Sequence, residues 1–219
     1  MTDQLDFWRQ LDVVSPSDLA DLKVIVIGAG GIGSPTVLAL AKMGVPHITV
    51  YDNDSVELHN LPNQIYRLSD LGKPKVEALS DATIDYAGIS LDTKNELFEN
   101  QKLSGVVISG VDSMAARKTI WEKVRYNPSI PLYIEARMGA EICRIHSVRP
   151  TDPMDVKWYE STLYSDDDAL DLPCTARAII YTVFVIAGLL ACQVKKFVTG
   201  QDILKEIIFD LVTMSLLKN

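Results

Sequence analysis

The sequence is short of cysteine. Its three cysteines, Cys143, Cys174 and Cys192, are odd in number, widely spaced and in no Cys-x-x-Cys pair. That excludes a disulfide framework and a four-thiolate structural zinc site built within the chain. Positive charge is also scarce: 21 Lys and Arg stand against 29 Asp and Glu, a formal net charge of −8. Such a surface repels phosphate backbones, so nucleic-acid binding is excluded as the main task. Very long hydrophobic runs are missing too. The longest lies between Arg177 and Gln193, short of the roughly 20 residues a membrane span needs. It reads as a buried helix, and no membrane partner is expected. The N-terminus, MTDQLDFWRQLD, is acidic and polar, unlike a signal peptide. Together with the cysteine usage this gives a cytoplasmic protein as the expectation.

What is present is ordinary for a globular chain. Of 219 residues, 47% are hydrophobic and 23% charged, which excludes disorder as the general state and supplies a continuous core. No linker interrupts the sequence, so residues 1–219 are read as a single domain. Residues 1–20 read as a polar helix or arm with Trp8 and Leu11 available to dock. The β-branched run 23–28 is a strand buried on both faces, 33–43 a small-residue helix, and 47–52 a second buried strand. A helix starting near Pro74 runs to 87, a weaker edge strand occupies 89–97, and a buried strand spans 105–112. An amphipathic helix at 113–124 follows. Strands at 132–139 and 141–148 meet at a tight turn formed by Gly139 and Ala140. The acidic, proline-containing stretch 150–173 is irregular and too long for an ordinary connection. A long apolar helix from about Ala176 to Val198 and one closing strand at 205–217 complete the chain. Strand–helix alternation predicts an α/β fold: a doubly wound, Rossmann-like sheet, parallel in its first half and antiparallel in its second.

The chemistry gathers at the predicted carboxyl ends of the parallel strands. Gly28-Ala29-Gly30-Gly31-Ile32-Gly33 matches GxGxxG between a strand and a helix. The motif needs a tight turn at Gly28, close backbone approach at Gly30 and helix–sheet packing at Gly33. The helix N-terminus then offers N–H groups, Gly31 among them, to phosphate oxygens. Asp52 ends the second strand where an acidic residue reaches a ribose, or where it merely caps the strand. On this evidence alone a dinucleotide oxidoreductase would look the same. The residues beyond it favour another ligand: Asp54, Asn60 and Gln64 in one polar loop, Lys75 at the next helix, and Asp112 ending another strand. A nicotinamide cofactor needs no lysine or added carboxylate there. A nucleoside triphosphate with magnesium needs both.

At these residues the chain resembles the ThiF/MoeB/HesA family, the ubiquitin-activating-enzyme-like adenylyltransferases. The resemblance runs from Arg9-Gln10 through the glycine turn, residues 52–64, Lys75 and Asp112 to Cys174 and the helix after it. It implies activation of the C-terminal carboxylate of a ubiquitin-like or sulfur-carrier protein with ATP and Mg2+. The carboxylate attacks the α-phosphate and pyrophosphate leaves. By resemblance Asp52 binds the ribose, Asn60 and Lys75 contact phosphates, and Asp112 holds magnesium. Lys75 also reads as a solvated helix lysine, and Asp112 as an N-cap for the helix at Ser113. The resemblance further implies a homodimer in which Arg9 reaches the partner's ATP site.

One position departs from the family. Asn63 stands where an arginine usually precedes the Gln, leaving the triphosphate one cation short. Arg67, Arg137 and Arg9 are the candidates to replace it, although Arg137 also reads as an ion-pair partner of Glu135 or Glu141. Cys174 precedes the long helix with Arg177 one turn on, a setting that favours a thiolate. The resemblance implies a part in transfer chemistry as a thioester or persulfide carrier; the residue alone also reads as a packed helix-start cysteine. Cys143 and Cys192 read as core, and His59 as a surface residue. Alternatives to the leading activity are adenylation of a peptide or small molecule, a nucleotide-binding scaffold of weak activity, and an NAD oxidoreductase.

Overall fold

The computed structural model describes residues 5–164 and 179–219. The chain runs α1 (Pro16–Leu19), β1 (Lys23–Ile27), α2 (Gly33–Met43), β2 (His47–Tyr51), α3 (Lys75–Ala87), β3 (Asp92–Lys94), β4 (Val106–Ser109) and α4 (Met114–Val124). Then follow β5 (Tyr133–Gly139), β6 (Ile142–Val148), α5 (Pro153–Glu160), α6 (Ile180–Val198), β7 (Glu206–Asp210) and β8 (Ser215–Lys218). One eight-stranded sheet has the order β3-β2-β1-β4-β5-β6-β7-β8. The β3-to-β5 pairings are parallel, and those from β5 to β8 are antiparallel. This is the expected doubly wound sheet with its change of direction in the second half.

Alternation along the strands explains the two layers. Val24 and Val26 of β1, Val106 and Ile108 of β4 and Ile134 of β5 pack under α2, α3 and α6 through Val37, Leu79 and Ile186. Ile25, Ile27, Val107 and Tyr133 face the other way, onto Ile120 and Trp121 of α4 and Tyr159 of α5. Both faces of the central strands are therefore dry, as their continuous apolar runs require.

Several expectations need correction. The closing segment is a hairpin and not one strand: Asp210 Oδ1 accepts the N–H groups of Val212 (2.9 Å) and Thr213 (3.2 Å) and turns the chain between β7 and β8. The irregular stretch contains α5, which Pro153 starts and Asp152 caps through the Met154 N–H at 2.8 Å. Among the described residues of this arm, 5–20, the helical elements are a 3-10 turn at Trp8–Gln10 and the four-residue α1. The edge strand shortens to Asp92–Lys94, and the β5–β6 turn is Ala140–Glu141, with Ala140 at φ 49°. Cys143 is core, but Cys192 is exposed, because it lies off the buried stripe of α6. By length and composition α6 is apolar enough to cross a membrane, contrary to expectation. It buries Val183, Ile186, Leu190 and Val194, and it contacts α2, β5 and β6.

Candidate nucleotide site

The chain leaves β1 for β2 and β3 on one side and returns to β4 on the other, which opens a switch point between β1 and β4. Gly28 and Gly110 close its floor. Gly28 has φ 95°, and a Cβ there would lie 3.1 Å from the Gly110 carbonyl oxygen. Gly33 is needed for a different contact from the one expected: its Cβ would lie 1.7 Å from the Gly28 carbonyl, ahead of any strand neighbour. Gly30 is the contrast. Added atoms there would meet only Gln64 Nε2, at 4.0 Å. No hydrogen bond among the described residues takes up the N–H groups of Gly30 or Gly31. Open space, free N–H donors and the start of α2 together make an anion-binding concavity.

The acidic and basic residues assemble around that turn. Asp52, at the end of β2, accepts the Ala29 N–H at 2.7 Å and the Asp54 N–H at 2.8 Å. Burial pushes its carboxyl up, against those two bonds and the nearby Lys75 charge. Asp54 in turn receives Lys75: Nζ lies 2.7 Å from Oδ2, and the Lys75 N–H donates to the Asp54 carbonyl at 2.8 Å. Lys75 opens α3 and is only 6% exposed, so the solvated-lysine reading does not hold. Lys73, at the surface, pairs with Asp81. Tyr66, unnoticed in the sequence, fastens the turn from behind by donating to the Ala29 carbonyl at 2.6 Å.

The loop 60–64 lies over the glycines, with the Asn63 carbonyl 3.2 Å from a Cβ built on Gly31. The Asn63 Oδ1 and Gln64 Oε1 atoms are buried and have no hydrogen-bond partner among the described residues. Orphaned buried acceptors beside free donors are unusual in a finished interior and fit a site shaped for a polar ligand. Asn60 is committed locally, its Oδ1 accepting the Glu57 N–H at 2.9 Å, and His59 is at the surface beside Glu57. Asp112 follows Gly110 and Val111 at the floor of the site and is exposed. It is not the N-cap of α4: Ser113 is, accepting the Ala116 N–H at 3.2 Å.

Two of the three candidate replacements for the missing arginine are engaged elsewhere. Arg67 pairs with Asp70 and Asp85. Arg137 binds Glu135, and it donates to the Thr162 carbonyl at 2.9 Å. Arg9 is exposed and lies over the Trp8 ring. Its neighbour Gln10 donates to the Met43 carbonyl at 2.8 Å, and Phe7 packs on Gly44. Arg9 therefore sits at the C-terminal end of α2, about 16 Å of helix from its own glycine turn. Cys174 and Arg177 lie outside the described residues.

ATP fits the free donors, the orphaned amides and Lys75. No cluster of three or more His, Cys, Asp or Glu suited to a metal occurs among the described residues. One carboxylate at Asp112 suits magnesium, which takes most of its ligands from phosphates and water. A cleft of about 320 Å³, lined by Lys23, His47 and Asp92, opens at the opposite ends of the strands and is a separate feature.

Of a buried ionic network beside the site, sequence reasoning found only the Arg137–Glu135 pair, one of the two pairings it offered Arg137. Glu135 on β5 is fully buried and contacts Arg117, Arg137, His146 and Tyr159. Burial acts to raise the Glu135 carboxyl, but the His146 bond and the two guanidinium charges outweigh it and hold it down at about 2. The sequence did carry a signal. Arg117 falls on the buried stripe of α4 with Met114, Trp121 and Val124, and an arginine on an apolar stripe needs a partner.

Comparison with known proteins agrees with this geometry. A family model described as "ThiF family" matches residues 2–219. The SAMP-activating enzyme E1 of Haloferax volcanii is 31% identical over 144 residues, 59% of this chain and 53% of that protein. The adenylyltransferase and sulfurtransferase UBA4 of Yarrowia lipolytica is 41% identical over 64 residues, 29% of this chain and 16% of that protein. The chain thus spans about half the length, or less, of these relatives. Two solved structures share the fold over 93% of the chain and 65% of their own: PaaA, at TM-score 0.75 and 23% identity, and E. coli MccB with ATP, at 0.72 and 18%.

Proposed function

The chain belongs to the ThiF family, and on that premise we propose that it is an ATP-dependent adenylyltransferase acting on the C-terminal carboxylate of a ubiquitin-like or sulfur-carrier protein. The observation that carries the reading is the pairing of unfilled Gly30 and Gly31 donors with a nearly buried Lys75 at the switch point. The names of the relatives, a SAMP-activating enzyme and an adenylyltransferase and sulfurtransferase, support the substrate class. In this reading the substrate carboxylate oxygen bonds to the α-phosphorus, the bond to the β-phosphate oxygen breaks, and pyrophosphate departs with the electron pair. Asp52 faces the ribose, the glycine turn and Lys75 take phosphate oxygens, and Asp112 holds Mg2+, which when bound neutralises triphosphate charge. Cys174 is proposed as acceptor of the activated acyl group: its thiolate sulfur bonds to the acyl carbon, the bond from that carbon to the adenylate oxygen breaks, and AMP leaves. Replacement of Cys174 by Ser should leave AMP transfer intact while abolishing any thiol-linked product. Mass spectrometry of AMP adducts separates the protein substrate from the second reading, a peptide or small-molecule carboxylate.

ATP–pyrophosphate exchange tests the reading. Wild-type protein with a ubiquitin-fold partner ending in Gly-Gly is expected to exchange label. Asp112→Ala, whose side chain is exposed and outside the core, is expected to lose exchange with its thermal unfolding unchanged. Exchange at the wild-type rate in Asp112→Ala would remove Asp112 from the reaction.

The missing cation is proposed to come from a second copy, through Arg9 of a homodimer, because Arg67 and Arg137 are already paired. Arg9→Ala and Lys75→Ala chains should each be inactive alone. Mixed and allowed to exchange subunits, they should recover about a quarter of wild-type activity, since half the dimers then hold one intact site. A mixture as inactive as its components would sink the arrangement.

A further inference from the structure

We propose that Arg117 is a positioning residue that fixes the direction in which Asp112 presents its carboxylate to the metal-bound nucleotide. The inference rests on the proposed role of Asp112. Arg117 is 6% exposed. Its Nε donates to Glu135 Oε1 at 2.7 Å, and its Nη2 donates to the Val111 carbonyl at 2.5 Å, with a longer contact to the Ala136 carbonyl at 3.5 Å. One guanidinium therefore joins the sheet, through β5, to the peptide group immediately before Asp112. The same loop is held from the other side, where Gly110 N–H donates to the Ile27 carbonyl at 2.9 Å and the Gly110 carbonyl abuts Gly28.

With Val111 clamped on one side and Gly110 on the other, the Val111–Asp112 peptide plane has little freedom. Asp112 is the first exposed residue after that clamp. Helix packing alone does not require the contact: α4 is capped by Ser113 and buried through Met114, Ile120, Trp121 and Val124. The planar fork suits the task, because a lysine ammonium presents a point charge and not two fixed, divergent donors.

Two variants test it. Arg117→Lys keeps the charge and loses the fork. Arg117→Met keeps apolar volume and loses both. Glu135 retains Arg137 and His146 in either case, so the folded state is expected to persist. Binding of α,β-methylene-ATP without metal should stay within about twofold of wild type. The affinity of Mn2+ for the protein–nucleotide complex, read by electron paramagnetic resonance, should fall about tenfold in Arg117→Lys and further in Arg117→Met, the range seen when groups behind a metal ligand are removed. The Mg2+ requirement of exchange should rise in parallel. Unchanged Mn2+ affinity in folded variants would overturn the inference. So would an equal loss of metal-free nucleotide binding, or failure of both variants to fold, because either makes Arg117 part of the general framework. Asp112→Asn is the control. If it lowers Mn2+ affinity and the Arg117 variants do not, only the positioning role falls. If it leaves metal affinity unchanged, the role of Asp112 falls and the inference with it.

Discussion

Replacing Lys75 by Ala is expected to reduce kcat/KM for ATP–pyrophosphate exchange by about 10²–10³, the usual cost of deleting one preorganised donor aimed at developing charge. That corresponds to roughly 3–4 kcal/mol of barrier. Lys75 is 6% exposed and its ammonium has one described partner, Asp54, which is itself mostly exposed. Three N–H donors on a nearly buried ammonium leave unused capacity beside Asp54, and phosphate oxygens of a bound triphosphate would take it up. The net contribution of the pair to stability is small, because a solvated carboxylate returns little for the desolvated lysine. Activity is therefore expected to collapse while the unfolding midpoint stays close to wild type. Lys75→Arg is expected to recover little, since a planar fork does not occupy the compact place of an ammonium. A kcat/KM for ATP in Lys75→Ala within about threefold of wild type would show that the triphosphate is held elsewhere.

The site was more legible in the sequence than some of the structure around it, and the reasons are physical. Gly28, Gly33, Asp52, Asp54, Lys75 and Gly110 assemble because each stands at or beside the end of a parallel strand or the start of a helix. Strand runs such as 23–27 are continuous enough to fix those ends. Asp210 was harder. Its turn interrupts a run of apolar residues whose pattern alone reads as one strand, and only the side-chain bonds to Val212 and Thr213 reveal the reversal. Asn60 shows another limit. Its carboxamide oxygen serves a local cap on Glu57, so only its Nδ2 donors are left for the phosphate contact expected of it. Arg67 shows a third: sequence neighbourhood says nothing of which carboxylate claims a guanidinium, and Asp70 and Asp85 claim it. Beyond the Arg137–Glu135 pair, the network on Glu135 was the largest omission, because its other members come from β6, α4 and α5 and only the fold brings them together.

That network carries the second large effect. Glu135→Gln is expected to destabilise the protein by about 3–5 kcal/mol, the cost of leaving buried charge without its counter-ion. Two guanidinium groups, Arg117 and Arg137, would face a neutral amide in a site where Glu135 itself is fully buried. Against a total stability of roughly 5–15 kcal/mol, this is a substantial part of the whole. The pH dependence follows from the same charges. The Glu135 carboxyl is held down at about 2, below its ordinary value of 4.5. A depressed carboxylate contributes stability that is fully present above the unfolded value and is lost as pH falls through the folded one. The window is therefore pH 4.5 down to about 2. Over it, a shift of this size is worth roughly 3 kcal/mol. Acid acts on the whole of this acidic chain, so the informative quantity is a difference. Urea unfolding of wild type and Glu135→Gln should show curves separated by the full destabilisation at about pH 7 and converging toward about pH 2, because acid removes from the wild type the charge that the variant already lacks. Parallel curves across the window would mean that Glu135 is already neutral in the folded protein, and that the two arginines are held by something other than its charge.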